Sequence, residues 1–211
     1  PEMFKAQRQI NADELPDPAT RLALIGRALA RLGEAGYVYV GMDHFARADD
    51  ELVTAQRAGT LQRNFQGYST HGECDIVGLG VSAIGRIGDS YSQSARDLTG
   101  YYAALDNGRL PIARGLSLNT DDLIRREVIV QLMCYGELDM PEFGAQRGLV
   151  FAEYFEAEME RLHVLAGDGL VTLDERMIRV TPRGRLLLRI VAMCFDAYLG
   201  RAAAPRFSRA I

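Results

Sequence analysis

"YVYVGMDHFARADDEL", residues 37–52, decides how the first half of the chain is read. Tyr37 to Val40 alternate aromatic and β-branched residues, the pattern of a buried strand, and the run breaks at Gly41 into Met42, Asp43, His44 and Phe45. Ligands of open α/β sheets and barrels sit beyond the carboxyl ends of the strands, so Asp43 and His44 are pocket candidates, able to serve as general acid or base. Adjacent strand residues face opposite ways, and only one of the two can enter a given pocket. Upstream, Asp17 and Pro18 supply cap and first-turn chemistry for a helix. Its Leu22, Ile25, Leu29 and Leu32 recur on one face until Gly33 and Gly36. A helix returning directly into a strand is half of a βαβ unit. Residues 1–60 are therefore expected to be a piece of parallel α/β layer, too small to close a barrel alone.

Further along, "DDELVTAQRAG", residues 49–59, reads as a short acid-started helix. Ile76 to Ile87 alternates enough to be strand, with Gly72, Gly78, Gly80, Gly85 and Gly88 marking turns or the close approach of another backbone. From Thr120 the composition shifts to helix formers. Thr120, Asp121 and Asp122 cap a helix running to about Cys134, and Phe151, Tyr154, Phe155, Met159, Leu162 and Leu165 form the apolar stripe of another. Two strands, 170–173 and 177–181, are joined by Asp174, Glu175 and Arg176, and Thr181 with Pro182 starts a last helix toward Leu199. The expected architecture is an α/β domain over residues 1–119 followed by a mostly helical, winged-helix-like domain over 120–211.

At 211 residues and 48% hydrophobic the chain can bury a proper core. A net charge of −4 argues against wholesale attraction to nucleic acid or membrane. No apolar run approaches the ~18 residues a membrane span needs. Cys74, Cys134 and Cys194 are odd in number and evenly far apart, which suits neither a disulfide framework nor a metal knuckle; a reducing, cytoplasmic compartment is expected. His71 and His163 have no partners at metal-ligand spacing. "PEMFKAQRQINADELPDP", residues 1–18, reads like the interior of a longer protein, so the chain is expected to be a fragment.

Three motifs compete for function. "GLGVSAIG", residues 78–85, lacks the third glycine and the following helix that a dinucleotide fingerprint requires. "NFQGY", residues 64–68, offers aromatics and an amide for stacking on a flat ligand, and equally a loop anchored by Phe65. From Arg176 onward eight arginines face one acid, Asp196, and a hairpin wing with a basic helix is how winged-helix proteins grip duplex phosphates. Against that grip, "RLLLRIVAMCF", residues 185–195, is mostly apolar and faces a core.

Longer motifs are more specific. "GMDHFARADDEL", "RNFQGYST", "GLGVSAIG", "DDLIRREVI", "DGLV" and "VTPRGRLLLR", then "CFDAYL" and the ending "FSRAI", occur in an order that resembles the oxygen-independent coproporphyrinogen III oxidase (dehydrogenase) family. The resemblance covers essentially the whole chain. It implies a radical S-adenosylmethionine enzyme of haem synthesis, in which a [4Fe-4S] cluster cleaves S-adenosylmethionine reductively. The resulting radical takes hydrogen from a propionate of coproporphyrinogen III, and loss of carbon dioxide and an electron leaves a vinyl group. It also implies that this chain holds the terminal elements of an incomplete α/β barrel and the helical domain covering its open end, with Asp43, His44 and Phe45 facing the barrel mouth. Residues matching Phe65, Gln66 and Ile84 border a second S-adenosylmethionine in that family. The CxxxCxxC loop that holds the cluster is absent here. By the same resemblance the chain is the C-terminal portion of the enzyme, inactive alone, with no cluster ligand of its own. Its partners would be the N-terminal half and an electron donor, with no nucleic acid and no membrane. A winged-helix nucleic-acid-binding protein and a non-catalytic haem-binding relative are the alternatives.

Overall fold

The computed structural model describes residues 8–72 and 74–199; the opening residues and the "FSRAI" ending lie outside them. A short 3-10 turn, Ala12–Glu14, precedes helix α1, Pro18–Glu34. Its cap is the expected one, with the Asp17 carboxylate accepting from Thr20 N at 2.7 Å. Its apolar stripe is not covered: no residue of α1 is buried, and Leu22, Leu24 and Ile25 are exposed.

Strand β1, Tyr37–Gly41, pairs with β2, His44–Arg47, as an antiparallel hairpin that sets Val38 opposite Ala46 and Tyr39 opposite Phe45. This corrects the expected piece of parallel layer. Met42 takes a left-handed conformation, φ 57°, immediately after the bulged Gly41, so the chain reverses within two residues. A parallel partner would need a crossover of a dozen residues or more. Among the described residues every strand pair is antiparallel.

Helix α2, Glu51–Ala58, starts at an Asp50 cap and stops at left-handed Gly59. Strands β3, Gln62–Asn64, and β4, Gly67–Ser69, form a second hairpin. A three-stranded sheet follows in the order β5, Ile84–Ile87, then β6, Ser90–Ser94, then β7, Ile112–Ser117, with helix α3, Leu98–Asp106, linking the last two. The strand expected over Ile76 to Ile87 is real only at its end. Ile76 bridges Arg86 through two backbone hydrogen bonds of 2.7 and 2.8 Å, and the glycine-rich run between them folds back. Gly78 lies where a Cβ would come 2.7 Å from the Ile84 carbonyl oxygen, the close backbone approach that bare glycine permits. Every residue of β7 is exposed.

Helix α4, Thr120–Tyr135, opens on a capping box between Asn119 and Asp122 and ends at left-handed Gly136. Then come β8, Glu137–Asp139; α5, Met140–Arg147; α6, Phe151–Tyr154; α7, Glu156–Gly167; β9, Val171–Leu173; β10, Met177–Val180; α8, Pro182–Leu186; and α9, Leu188–Met193. Strand β10 lies between β8 and β9. The helices expected over 151–165 and from Thr181 toward Leu199 are each broken. At Phe155 the backbone leaves helical angles, and its fully buried ring packs on Phe151 and Phe195 at centroid distances of 4.8 and 5.2 Å. Leu187 interrupts the second helix, which stops at Met193. Tertiary packing has overridden a continuous apolar stripe in both cases.

The main core joins Val128, Leu132 and Leu138 to Phe143, Phe155, Leu162, Ile178 and Phe195. A smaller cluster, Val40, Ala46, Val53, Ala55 and Leu61, closes on Cys134 of α4. Polar contacts hold the smaller cluster on α4: Gln56 donates to the carbonyls of Val40 and Cys134 at 2.8 and 3.0 Å, and Tyr135 donates to Leu61 O at 2.7 Å.

Candidate functional site

Two cavities flank the β3–β4 hairpin where it meets α4. The first, about 630 Å³, is walled by β5, β6, β7, α4 and the turn after α9. Phe65, Ile84, Leu116, Ile129, Met133 and Phe195 make it mainly apolar. The second, about 670 Å³, is polar, bordered by Gln62, His71, Asp75, Arg86, Glu127 and Glu142 among others. Both volumes lie in the range of small-molecule sites, roughly 300–1,000 Å³. Arg63 and Arg126 border both cavities.

Local chemistry fixes the hairpin on the helix. The Tyr68 hydroxyl donates to Met133 O at 2.8 Å, and burial pushes its pKa up, so it stays a neutral phenol. The Arg63 guanidinium lies over the Tyr68 ring, 4.7 Å from its centroid. Several neighbouring arginines are committed. Arg125 donates to Asp121 at 2.7 Å, to buried Glu158 at 2.8 Å and to Phe195 O at 3.3 Å. Arg86 braces the loop before β5 through the carbonyls of Gly72 and Cys74. Arg114 donates to Gln93 at 2.7 Å, and Arg147 pairs with Glu127.

Of the sequence candidates, the structure brings Phe65 and Ile84 together on the wall of the apolar cavity. Gln66 shares the turn with Phe65 but is not on that wall; its backbone N–H donates to Asn64 Oδ1 at 2.8 Å. Asp43 and His44 border neither cavity. The antiparallel hairpin turns them aside: the Asp43 side chain is 89% exposed, with Oδ1 2.8 Å from His44 Nδ1. The His44 ring sits edge-on to Tyr68 at 5.2 Å, and a Cβ at Gly67 would come 2.9 Å from its Nε2.

Among the described residues no group of three or more His, Cys, Asp or Glu could hold a metal ion. The cysteines do not fit a cluster site, since Cys134 and Cys194 are buried in different apolar clusters and Cys74 is exposed. Burial pushes the Cys134 thiol up to about 12 and raises that of Cys194. On brief iodoacetamide treatment at neutral pH, Cys74 is expected to alkylate at least about tenfold faster than the other two. Peptide mass spectrometry checks it, and equal labelling of Cys134 would show that its burial is not maintained.

No helix is long and apolar enough to cross a membrane among the described residues. Residues 118–187 match the family model of the HemN C-terminal domain. The chain resembles, along its whole length, the C-terminal portion of the oxygen-independent coproporphyrinogen III oxidases. It is 53% identical over 211 residues to the oxidase of that name from Pseudomonas aeruginosa, covering 100% of this chain and 46% of that protein. The Escherichia coli oxidase is 48% identical over 212 residues with the same coverage, and that of Thermostichus vulcanus 41%, of which the chain covers 65%. A solved structure of the Escherichia coli protein HemN, described as a radical SAM enzyme, superposes with a TM-score of 0.87 at 49% identity, over 93% of this chain and 45% of that one. The chain thus spans under half the length of the first of these relatives.

Proposed function

We propose that this chain is the C-terminal part of an oxygen-independent coproporphyrinogen III oxidase. Such an enzyme oxidatively decarboxylates two propionates of coproporphyrinogen III to vinyls, giving protoporphyrinogen IX. The observation that carries the reading is 53% identity sustained across all 211 residues. In this reading residues 1–119 complete an α/β barrel with added strands, and 120–211 form a winged-helix-like cover. The order α4, β8, α5, α6, α7, β9, β10 with one small antiparallel sheet supports such a cover. The bare apolar face of α1 and the wholly exposed edge strand β7 support burial against the rest of the enzyme.

Phe65 and Ile84, with Gln66 beside them, would hold S-adenosylmethionine, which supplies the radical chemistry when bound. The apolar wall fits its adenosyl group: the Phe65 ring, 40% exposed, offers a stacking face, and Ile84 excludes water. The cysteines of this chain do not fit a [4Fe-4S] cluster, whose ligands belong in the segment these residues do not span. An electron donor is a further partner. The chain alone is inactive.

The test is a fusion of the N-terminal portion of the Pseudomonas aeruginosa oxidase to this chain, expressed anaerobically and assayed for protoporphyrinogen IX. Turnover is expected; a folded, cluster-loaded fusion that binds haem but never turns over would favour the haem-binding relative. In that fusion Ile84→Asp should lower turnover at least about tenfold while melting within a few degrees of the parent, because a carboxylate in an apolar wall must be solvated or paired. Unchanged turnover would remove Ile84 from the site.

The nucleic-acid reading loses support from how its arginines are spent. Arg176 pairs with Asp139, Arg179 with Asp174, and Arg185 donates to Tyr135 O. No duplex binding tighter than about 1 μM is expected at physiological salt, so nothing beyond the ordinary non-specific range of roughly 100 to 1 μM. Fluorescence anisotropy checks this, and submicromolar binding that falls steeply with salt would revive the alternative.

A further inference from the structure

Helix α4 carries two consecutive arginines, each with an aspartate four residues earlier: Asp121 before Arg125 and Asp122 before Arg126. Helical spacing would pair both. Only the first pair forms. Asp122 turns back to the helix start instead, accepting from Asn119 N at 3.0 Å to close the capping box. Arg126 is left without an ion pair or hydrogen bond among the described residues, and its Nη1 is buried without a protein acceptor. Arg63, on β3 packed against α4, is in the same condition among the described residues: its Nη1 is buried without a protein acceptor, and its guanidinium lies over the Tyr68 ring. A buried guanidinium nitrogen lacking an acceptor is unfavourable, and a carboxylate is the acceptor its planar fork fits.

Both side chains border the apolar and the polar cavity at once. A ligand with an apolar body and carboxylate arms matches that layout. We infer that Arg63 and Arg126 form a carboxylate clamp at the boundary of the two cavities, gripping propionate arms of a tetrapyrrole whose macrocycle lies against Ile129 and Met133, with the wall of Phe65 and Ile84 left to S-adenosylmethionine. This rests on the substrate reading above and selects, from 23 arginines, the two that meet the acid. Arg125, their neighbour in sequence, is excluded because Asp121, Glu158 and Phe195 O occupy it.

The probe is coproporphyrin III, the oxidised and fluorescent tetracarboxylate, titrated into the 211-residue chain at fixed ionic strength. Arg63→Gln and Arg126→Gln should each weaken binding about tenfold or more, the loss of one charge-assisted hydrogen bond to a carboxylate. Arg63→Lys and Arg126→Lys should recover part of it, keeping the charge without the fork. Arg179→Gln, which removes a wing arginine bordering neither cavity, should bind as the parent does. Thermal melts of each variant exclude unfolding as the cause. Parental affinity in folded Arg63→Gln and Arg126→Gln overturns the clamp and leaves the enzyme reading intact; a parent chain that does not bind the probe overturns it too. Arginine-dependent binding together with an inactive fusion would sustain the clamp and overturn the decarboxylase.

Discussion

Replacing Gly184 by alanine is expected to lower the melting temperature of the chain by about 6–12 °C. Gly184 sits in α8 after the Thr181 cap, where a Cβ would overlap the Leu170 carbonyl oxygen and come 2.9 Å from Val180 Cγ1. The first obstacle is backbone, so no rotamer change relieves it. Either α8 or the turn before β9 must move, and over-packing of this kind costs about 3 kcal/mol at the upper end of its range. At this chain length each kcal/mol shifts the midpoint roughly 2–4 °C. Alanine has the higher helix propensity, by about 1 kcal/mol, so propensity alone predicts the opposite sign. Differential scanning fluorimetry decides between them. An unchanged or raised midpoint would mean that the packing of α8 on Leu170 is looser than described.

Phe155→Ala should be at least as damaging. Its ring is wholly buried among Phe151, Tyr154 and Phe195, and the Arg125 guanidinium stacks 5.3 Å from its centroid. Truncating a buried phenylalanine costs about 3–5 kcal/mol, so a midpoint drop of about 6–20 °C is expected. Because Phe155 and Phe195 touch, Phe155→Ala with Phe195→Ala should fall short of the sum of the singles by more than about 0.5 kcal/mol. Strict additivity in urea titrations would show that the rings do not act as one cluster.

Local signals in the sequence were reliable where the physics is local. The caps at Asp17 and Thr181, the acid-started helix within residues 49–59 and the hairpin strands after Leu170 required only neighbouring residues to read. The reading of residues 37–52 failed because a helix returning directly into a strand reads as half of a βαβ unit. A left-handed Met42 leaves no propensity signal, and it made the same residues a hairpin. The candidate site was legible in part. Phe65 and Ile84, which the resemblance singled out, border the apolar cavity, whereas Asp43 and His44 sit on an antiparallel hairpin that borders neither cavity. Arg126 was hidden by its own helix, since its spacing from Asp122 signals an ion pair that the capping box takes away. Arg63 had no signal; only the fold sets β3 against α4.

Helix α4 buries Val128 and Leu132 in the C-terminal core and Cys134 in the cluster of β1, β2 and α2. The compositional boundary near residue 119 is therefore not a seam along which the chain can be divided. A protein ending before Thr120 would lose the floor of its own smaller core, one of the two carbonyl acceptors of Gln56 and that of Tyr68. Cooperative opening would have to run through α4, coupling the two parts into one folding unit whose slowest-exchanging amides lie on that helix. In evolutionary terms residues 120–211 could not have been exchanged as a cassette: any replacement would have had to bring a helix already fitted to the hairpins on its other side.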